Sequence, residues 1–235
     1  MEIAVVKYGN FNASNDQIRD WSKSLHCDEF IIVNNHEASL ADDEIKGDNS
    51  LYDFSGYSIA IKAFKTDGPF VLVNDTLLKH HIPIFWRSII RSMQHAKLDT
   101  PTVWGDHRKE STSFPEKEKI FLASWIFYIP DRPSLLLIQQ TLEIAIQQLN
   151  EPVSVEYQQY IDQWLLQPTP FRGWVGNMNN EAYARKNQAI RIEHRWSREL
   201  SKAGALRSFQ QVYPLYGMIR LMERLKYRFD VLLKK

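Results

Sequence analysis

Short apolar runs alternate with amphipathic segments over the first half of the chain. Apolar runs that end at polar or glycine residues predict buried strands at residues 3–6, 30–33 and 70–73. Apolar positions three and four residues apart predict helices at about residues 15–26 and 53–65. The resulting βαβαβ order predicts a mostly parallel sheet with helices on both faces.

The middle of the chain is predicted to combine helices with a loop and a strand, and the chain from about residue 153 onward is predicted to be mostly helical. The pattern predicts a helix at residues 77–95, a polar loop at 99–118 and a strand at 120–129. It predicts two further helices, at residues 133–149 and 179–203. We therefore expect an α/β fold with a helical C-terminal extension. An α/β core at residues 1–150 and a helical region at residues 151–235 are expected to form one continuous unit.

The last segment has the pattern of an amphipathic helix with a basic side. At about 100° per residue, one face collects Leu215, Met218, Ile219, Met222, Leu225, Phe229, Leu232 and Leu233. Arg220, Arg224 and Arg228 lie opposite or beside that face. Two interpretations are open. The apolar face packs against the domain, or residues 212–233 lie on an anionic membrane surface.

Charge is distributed unevenly along a chain whose overall balance is nearly neutral. The 235 residues include 29 Lys+Arg and 28 Asp+Glu. Residues 1–50 carry ten acidic and four basic side chains, whereas residues 185–235 carry thirteen basic and four acidic side chains. This asymmetry favours an anionic partner for the basic end, such as nucleic acid, a phospholipid surface or a charged substrate. A solvated helical face is the alternative.

Cysteine usage and hydropathy indicate a cellular location. The single cysteine, Cys27, excludes a disulfide framework and indicates a reducing compartment. The longest strongly apolar run, residues 120–130, is shorter than the ~18 residues of a membrane span. The first ten residues lack the layout of a signal peptide. We expect a cytoplasmic protein. Peripheral attachment to the inner face of the plasma membrane is compatible with this location.

Several familiar motifs of catalysis and nucleotide binding are missing from the sequence. It contains no GxGxxG, GxxxxGK[ST], HExxH or GxSxG. The seven histidines are not spaced as metal ligands, since the adjacent His80 and His81 would point in different directions on a helix. Cys27 precedes a predicted strand, where a cysteine usually behaves as a small apolar side chain.

Polar residues follow each of the three predicted strands of the first half. These residues are 7–10, Asn34-Asn35 and Asn74-Asp75. Because ligands of parallel sheets bind at the carboxyl ends of the strands, a site is expected where these ends meet. Asp75 could hold a divalent cation that neutralises a diphosphate, or it could cap the next helix.

Segments around these strand ends match a known pattern in order and spacing. They are residues 30–35 (FIIVNN), 49–56 (NSLYDFSG) and 70–77 (FVLVNDTL), with 122–127 (LASWIF) and, more weakly, 185–201 further along. Together they resemble GT-A-type glycosyltransferases, mainly the rhamnosyltransferase-like and rhamnan-synthesis-like polysaccharide branches. The resemblance implies a GT-A, Rossmann-like fold that binds a nucleotide sugar through residues 1–80.

The resemblance also implies an activity and site residues. The activity is transfer of a sugar from a nucleotide-diphosphate donor to a saccharide acceptor, plausibly lipid-linked, in surface polysaccharide synthesis. Asp75 would bind Mg²⁺ or Mn²⁺, and the donor would contact Tyr8, Asn10, Asn34, Asn35, Asn49, Asp53 and Asn74. The chain has Val-Asn-Asp where the family has Asp-x-Asp, so metal binding rests on one carboxylate. Basic residues of the C-terminal half are an alternative to the metal.

An inverting transferase also needs a carboxylate that deprotonates the acceptor hydroxyl. Candidates after the third strand are Asp106, Asp131, Glu156, Asp162 and Glu193, of which Glu156, Asp162 and Glu193 are retained without a choice among them. A retaining mechanism would not need the base in the same place. Trp174, with Trp164, could form a platform for sugar rings or could pack in a core.

Two other functions are considered beside the transferase. The first is a catalytically degenerate GT-A-like module that binds or assembles without transferring sugar, since the Val-Asn-Asp motif is reduced. The second is a nucleic-acid binder that uses the basic C-terminal half. The apolar face of the last helix disfavours nucleic acid, because a surface that binds it is polar throughout.

Overall fold

A seven-stranded mixed sheet lies at the centre of the protein. The computed structural model describes residues 1–7, 14–27, 29–35, 40–94, 98–167 and 179–232. The strands are β1 Glu2–Lys7, β2 Phe30–Asn34, β3 Glu44–Lys46, β4 Phe70–Asn74, β5 Val103–Lys109, β6 Ile120–Ile129 and β7 Leu206–Ser208. Their order across the sheet is β3-β2-β1-β4-β6-β5-β7.

The sheet combines a parallel half with one reversed strand. Strand β1 pairs in parallel with β2 and β4, and β2 pairs in parallel with β3. Strand β6 is antiparallel to both β4 and β5, while β7 is parallel to β5. The predicted α/β class is confirmed. The sheet itself is mixed, because the long strand β6 returns from β5 toward the start of β4.

Helices cover both faces of the sheet, as predicted. They are α1 Asn15–Ser24, α2 Asp53–Ala63, α3 Thr76–His80, α4 Pro83–Met93, α5 Arg132–Gln147, α6 Val155–Leu166, α7 Asn180–Lys202 and α8 Tyr216–Leu232. One apolar cluster joins α1, α4 and α8 to the sheet through side chains such as Trp21, Trp86 and Ile219. The other joins α2, α5 and α7 through side chains such as Phe54 and Trp196.

Two strands lie where the sequence predicts loops. Strand β5 occupies part of the predicted polar loop at 99–118, and β3 lies in the polar stretch after β2. Val103 and Trp104 of β5 are buried. Backbone hydrogen bonds from the neighbouring strands β6 and β7 keep β5 extended, although most of its other residues are polar. Pairing with neighbouring strands therefore overrides the weak β-propensity of this sequence.

The helix predicted at 77–95 is two helices, α3 and α4. Pro83 occupies the first turn of α4, where its missing N–H costs nothing. His81 and Ile82 form the break, with extended backbone at both residues. The break turns α4 against the sheet and leaves the Ile82 amide available to another partner.

Helices α6 and α7 form a wall at one end of the sheet. Tyr157, Ile161 and Leu165 of α6 are buried in a small cluster with Ile190 of α7. Further along α7, Ile192 and Trp196 are buried against the sheet. Within the described residues, each helix is too short or too polar to cross a lipid bilayer.

Candidate functional site

Two polar residues predicted from the sequence, Asn35 and Asn74, contact the start of α2, whose first residue is a third, Asp53. The Asn74 side chain, at the end of β4, donates to Asp53 Oδ2 at 3.0 Å. The Asn35 side chain, just after β2, donates to the Tyr52 carbonyl at 2.6 Å and lies 3.4 Å from Ser55 Oγ. The carboxyl ends of two strands of the parallel half are therefore tied to the N-terminus of one helix.

The turn that leads into α2 has an unusual backbone. Asn49 and Tyr52 have φ values of 51° and 55°, in the left-handed region that non-glycine residues seldom adopt. The turn fits closely under β2, since a Cβ on Gly47 would lie 1.6 Å from Asn35 Oδ1. A residue with such backbone angles is strained and persists only where the surrounding structure holds it in place. Residues of this kind are frequent at ligand sites.

A bulge in β6 brings Ser124 to the same place. Gly105 of β5 pairs with Phe127, but His107 pairs with Leu122, so β6 contains three additional residues over this step. The Tyr57 hydroxyl donates to the Ser124 carbonyl, and Glu193 Oε1 accepts from the Ser124 N–H at 2.7 Å. Bulges are frequent beside active sites, where they redirect a side chain.

Asp53 and Ser124 line a pocket of about 320 Å³ between the sheet and helices α2, α6 and α7. Its polar residues are Asp53, Arg108, Glu110, Ser124, Lys186, Glu193 and His194. Its aromatic residues are Phe54, Phe121, Tyr160 and Trp164. A concave site with a few convergent charged groups on an otherwise apolar lining is typical of a small-molecule pocket.

Asp53 and Glu193 are two acids in one weakly solvated environment. Burial raises the pKa of Asp53, against the effect of Lys186, Asn74 and Ser124. Burial also raises the pKa of Glu193, and the nearby charge of Asp53 adds to the rise, while hydrogen bonds from Ser124 and the charge of Lys186 oppose it. Burial therefore makes each of these acids hold its proton to a higher pH than a solvated carboxyl group does.

Cationic side chains border the pocket. Lys186 Nζ lies 4.9 Å from the centre of the Tyr52 ring, and the Arg185 guanidinium lies 5.7 Å from it. Arg185 Nε is buried without a hydrogen-bond partner in the described structure. Arg108 lines the pocket as well and is held by Asp106 at 3.0 Å. Two positive groups, Lys186 and Arg108, therefore line a site that also contains carboxylates, and Arg185 lies beside Lys186 over Tyr52.

A second polar network lies at the ends of β1, β2 and β3. Asn34 donates to Glu44 Oε2 at 2.8 Å, and Lys7 Nζ lies 2.7 Å from Glu44 Oε1. Burial alone would raise the pKa of Glu44, but hydrogen bonds from Asn34 and Lys7 lower it to about 2. Tyr8 and Asn10, which the sequence places beside these groups, lie outside the described residues.

Asp75 and Asn49 lie near the same end of the sheet. Asp75 is buried directly after β4, its N–H donates to the Val6 carbonyl at 3.0 Å, and its side chain makes no capping bond to α3. Asn49 Oδ1 is buried without a hydrogen-bond partner in the described structure. No group of three or more His, Cys, Asp or Glu suited to a metal occurs among the described residues. Metal binding by Asp75 stays a prediction.

The proposed catalytic bases occupy different environments. Glu193 lines the pocket. Glu156 is exposed in the first turn of α6, and Asp162 accepts hydrogen bonds from Tyr183 and Gln158 on the α6–α7 wall. The two acids set aside at the sequence level have structural partners: Asp106 binds Arg220 and Tyr216, and Asp131 caps α5.

Sequence reasoning missed part of this site. Ser124 lies in a segment predicted as a regular strand, and only the bulge turns it toward the two acids. Lys186, which lies in the weakly matching residues 185–201, has no predicted role at the site, and Arg108 belongs to a predicted loop. Trp164, a predicted sugar platform, lines the pocket, whereas Trp174 lies outside the described residues.

Comparisons of the chain with known protein families, curated proteins and solved structures find no match. The functional argument therefore rests on the geometry of the site.

Proposed function

We propose that this protein is a GT-A-type glycosyltransferase that moves a sugar from a nucleotide-diphosphate donor to a saccharide acceptor in surface polysaccharide synthesis. One observation carries the proposal. Asp53 and Glu193 share Ser124 beside Lys186, in a pocket at the carboxyl ends of the parallel strands. Acids and a cation placed together suit a reaction that takes up a proton and releases an anion.

The strand order supports a nucleotide site beside this pocket. Strands β2 and β4 lie on opposite sides of β1. The connection that leaves β1 therefore runs to one side and the connection that enters β4 runs on the other, which leaves a crevice at the carboxyl ends of β1 and β4. Such a switch point is the usual ligand site of open α/β sheets. The donor nucleotide would contact the Asn34–Glu44–Lys7 network, Asn35 and Asn49 there, and its diphosphate would extend toward the pocket.

The cations at the pocket supply charge for the leaving group. Lys186 and Arg185 lie over Tyr52 at the entrance to α2, and both Lys186 and Arg108 line the pocket. They would balance the charge that develops on the diphosphate when the sugar–phosphate bond breaks. If Asp75 binds a divalent cation, that ion would assist them from the end of β4.

Glu193 is the proposed general base. It would accept the proton of the acceptor hydroxyl while that oxygen forms a bond to the anomeric carbon. The bond from this carbon to the diphosphate breaks, and the nucleoside diphosphate leaves with the electron pair. Burial raises the pKa of Glu193, and a carboxylate with a higher pKa is a stronger base. Asp53 and Ser124 would position it, and Trp164 and Tyr160 would contact a sugar ring.

A ligand panel followed by a turnover assay tests this proposal. Uridine, deoxythymidine and guanosine diphosphates should raise the melting temperature, with and without Mn²⁺, and the matching nucleotide sugar should release its diphosphate when a saccharide acceptor is present. Glu193→Gln should keep the thermal shift and lose about 100-fold or more in turnover. Glu156→Gln, an exposed acid outside the pocket, is the matched control and should retain turnover.

Two outcomes would count against the transferase. If no nucleoside diphosphate stabilises the protein under either condition, the donor site is wrong. If a diphosphate binds but no nucleotide sugar turns over, the degenerate binding module replaces the enzyme.

A further inference from the structure

The last helix, α8, is held to the protein mainly by its polar side. Arg220 binds Glu223 at 2.5 Å and Asp106 at 3.3 Å, and the Tyr216 hydroxyl donates to Asp106. Glu223 in turn contacts His81 at 3.0 Å. Ile219 is buried beside this network. The inward side of the helix is therefore a hydrogen-bonded set of charges with a small apolar component.

The opposite side of α8 is apolar and faces outward. Five side chains are between 41% and 56% exposed: Leu215, Met218, Leu221, Met222 and Leu225. At about 100° per residue they form one stripe about 120° wide. This orientation overturns the interpretation that the apolar face packs against the domain. Of the predicted face within the described side chains, only Ile219 is buried.

An outward apolar stripe is the reverse of the usual arrangement. A helix on a globular protein normally buries its apolar side and leaves its charges in water. Here the protein buries charges of α8, which requires matched partners from the α3–α4 break and from β5, and leaves large apolar side chains in contact with solvent. Contiguous exposed apolar surface of this kind marks an interaction site.

Basic residues border the stripe on both sides. On the same helical projection, Arg224 lies about 100° to one side of Leu225 and Lys226 about 100° to the other, and both side chains are exposed. Residues 212–235 contain six basic and two acidic residues in sequence. An apolar strip between cationic edges is complementary to a bilayer surface, where acyl chains lie beneath anionic headgroups.

We propose that the outward face of α8 lies flat on an anionic phospholipid surface. The leucine and methionine side chains would enter the boundary between headgroups and acyl chains, and Arg224 and Lys226 would contact the headgroup phosphates. A second copy of the chain fits this face less well, because a two-fold contact would place like charges along the edges of both helices. The proposal uses no residue of the pocket and so stands independently of the transferase.

Vesicle co-flotation of the full chain tests the proposal. The protein should float with vesicles of equal parts phosphatidylcholine and phosphatidylglycerol, should bind pure phosphatidylcholine vesicles about tenfold less well, and should lose binding as salt rises. Leu221→Glu/Leu225→Glu should reduce binding to the anionic vesicles by about tenfold or more. The matched control is Leu136→Glu/Ile144→Glu, which makes the same kind of change at two exposed positions of α5. It should bind like the unmodified chain.

Circular dichroism melts of both double variants establish that they are folded. Equal binding by the α8 variant and the α5 variant would overturn the proposal, as would failure of the unmodified chain to bind anionic vesicles. Analytical ultracentrifugation addresses the remaining occupant. A dimer that the α8 variant abolishes, without vesicle binding, would assign this face to a second copy of the chain instead.

Discussion

Glu223 provides the sharpest test of how α8 is attached. Its carboxylate accepts from the Trp86 indole at 2.6 Å and from the Ile82 amide at 3.1 Å, and it pairs with Arg220 and His81. Glu223→Ala removes all of these partners at once. Because Glu223 and Trp86 are both buried, solvent cannot readily replace the lost hydrogen bonds.

The expected loss of stability follows from the groups left behind. A buried N–H donor that loses its partner costs about 1–3 kcal/mol, as the Trp86 indole would, and the part-buried Ile82 amide adds a smaller loss. Arg220 keeps Asp106 at 3.3 Å, so its charge is not left alone. We expect Glu223→Ala to lower the free energy of unfolding by about 3–5 kcal/mol, the usual effect of breaking a buried ion pair.

Urea unfolding followed by circular dichroism measures this difference. Glu143→Ala is the control, since Glu143 is an exposed helical glutamate whose partner is Gln139, and it should change stability by about 0.5 kcal/mol or less. A Glu223→Ala variant within about 1 kcal/mol of the unmodified protein would refute the idea that buried charges hold α8.

The pH dependence of the same variant has a defined sign. Burial alone would raise the pKa of Glu223, but hydrogen bonds from His81 and Trp86 and the charge of Arg220 hold it below its usual value. The stabilisation is therefore complete above the usual glutamate pKa of about 4.3 and is lost as pH falls through the lowered value. The difference between the two proteins should therefore be larger above about pH 5 than in acid, where it should shrink.

Two further predictions concern the pocket, and a third concerns the turn that leads into α2. Lys186→Met should weaken nucleoside-diphosphate binding about tenfold by removing one pocket charge, whereas Lys202→Met at the far end of α7 should not; calorimetric titration compares them. Gly47→Ala should cost about 1–3 kcal/mol in urea unfolding, because its Cβ would lie 1.6 Å from Asn35 Oδ1. Glu193→Gln should raise the melting temperature more at neutral pH than in acid. Because burial raises the pKa of Glu193 above its unfolded-state value, the stability of the unmodified protein falls as pH rises between these two pKa values.

Each of these predictions has a result that would contradict it. Equal loss of binding in both lysine variants would indicate a general charge effect instead of a contact in the pocket. An unchanged unfolding midpoint for Gly47→Ala would mean that Asn35 is not fixed against the turn. A Glu193→Gln variant whose advantage does not grow with pH would remove the argument for a strained acid at this position.

Elements with strong local patterns were predicted well. The strands at 3–6, 30–33, 70–73 and 120–129 and the long helix at 179–203 are confirmed. A continuous apolar run has few ways to leave water other than as a buried strand, and a long amphipathic repeat matches only the helical period. Local sequence was sufficient in these segments because each one carries its own signal of burial.

The site was predicted in part. Asn35, Asp53 and Asn74 converge as residues at strand ends should, because parallel strands bring their carboxyl ends to one edge. Glu193 joins them from α7, more than a hundred residues further along, and the sequence offered no reason to prefer it over Asp162. Contacts across such separations depend on how helices pack, which periodicity does not specify.

The sequence by itself determined the α/β class, the buried strands and the polar ends of the parallel half. Only the tertiary structure decided that 103–109 is a strand, that a bulge presents Ser124 to two acids, and that α8 turns its apolar stripe outward. A helical pattern specifies which residues share a face but not which face meets the protein. Here buried partners for Arg220 and Glu223 decided that orientation, since unpaired charges would have cost more than exposed leucines.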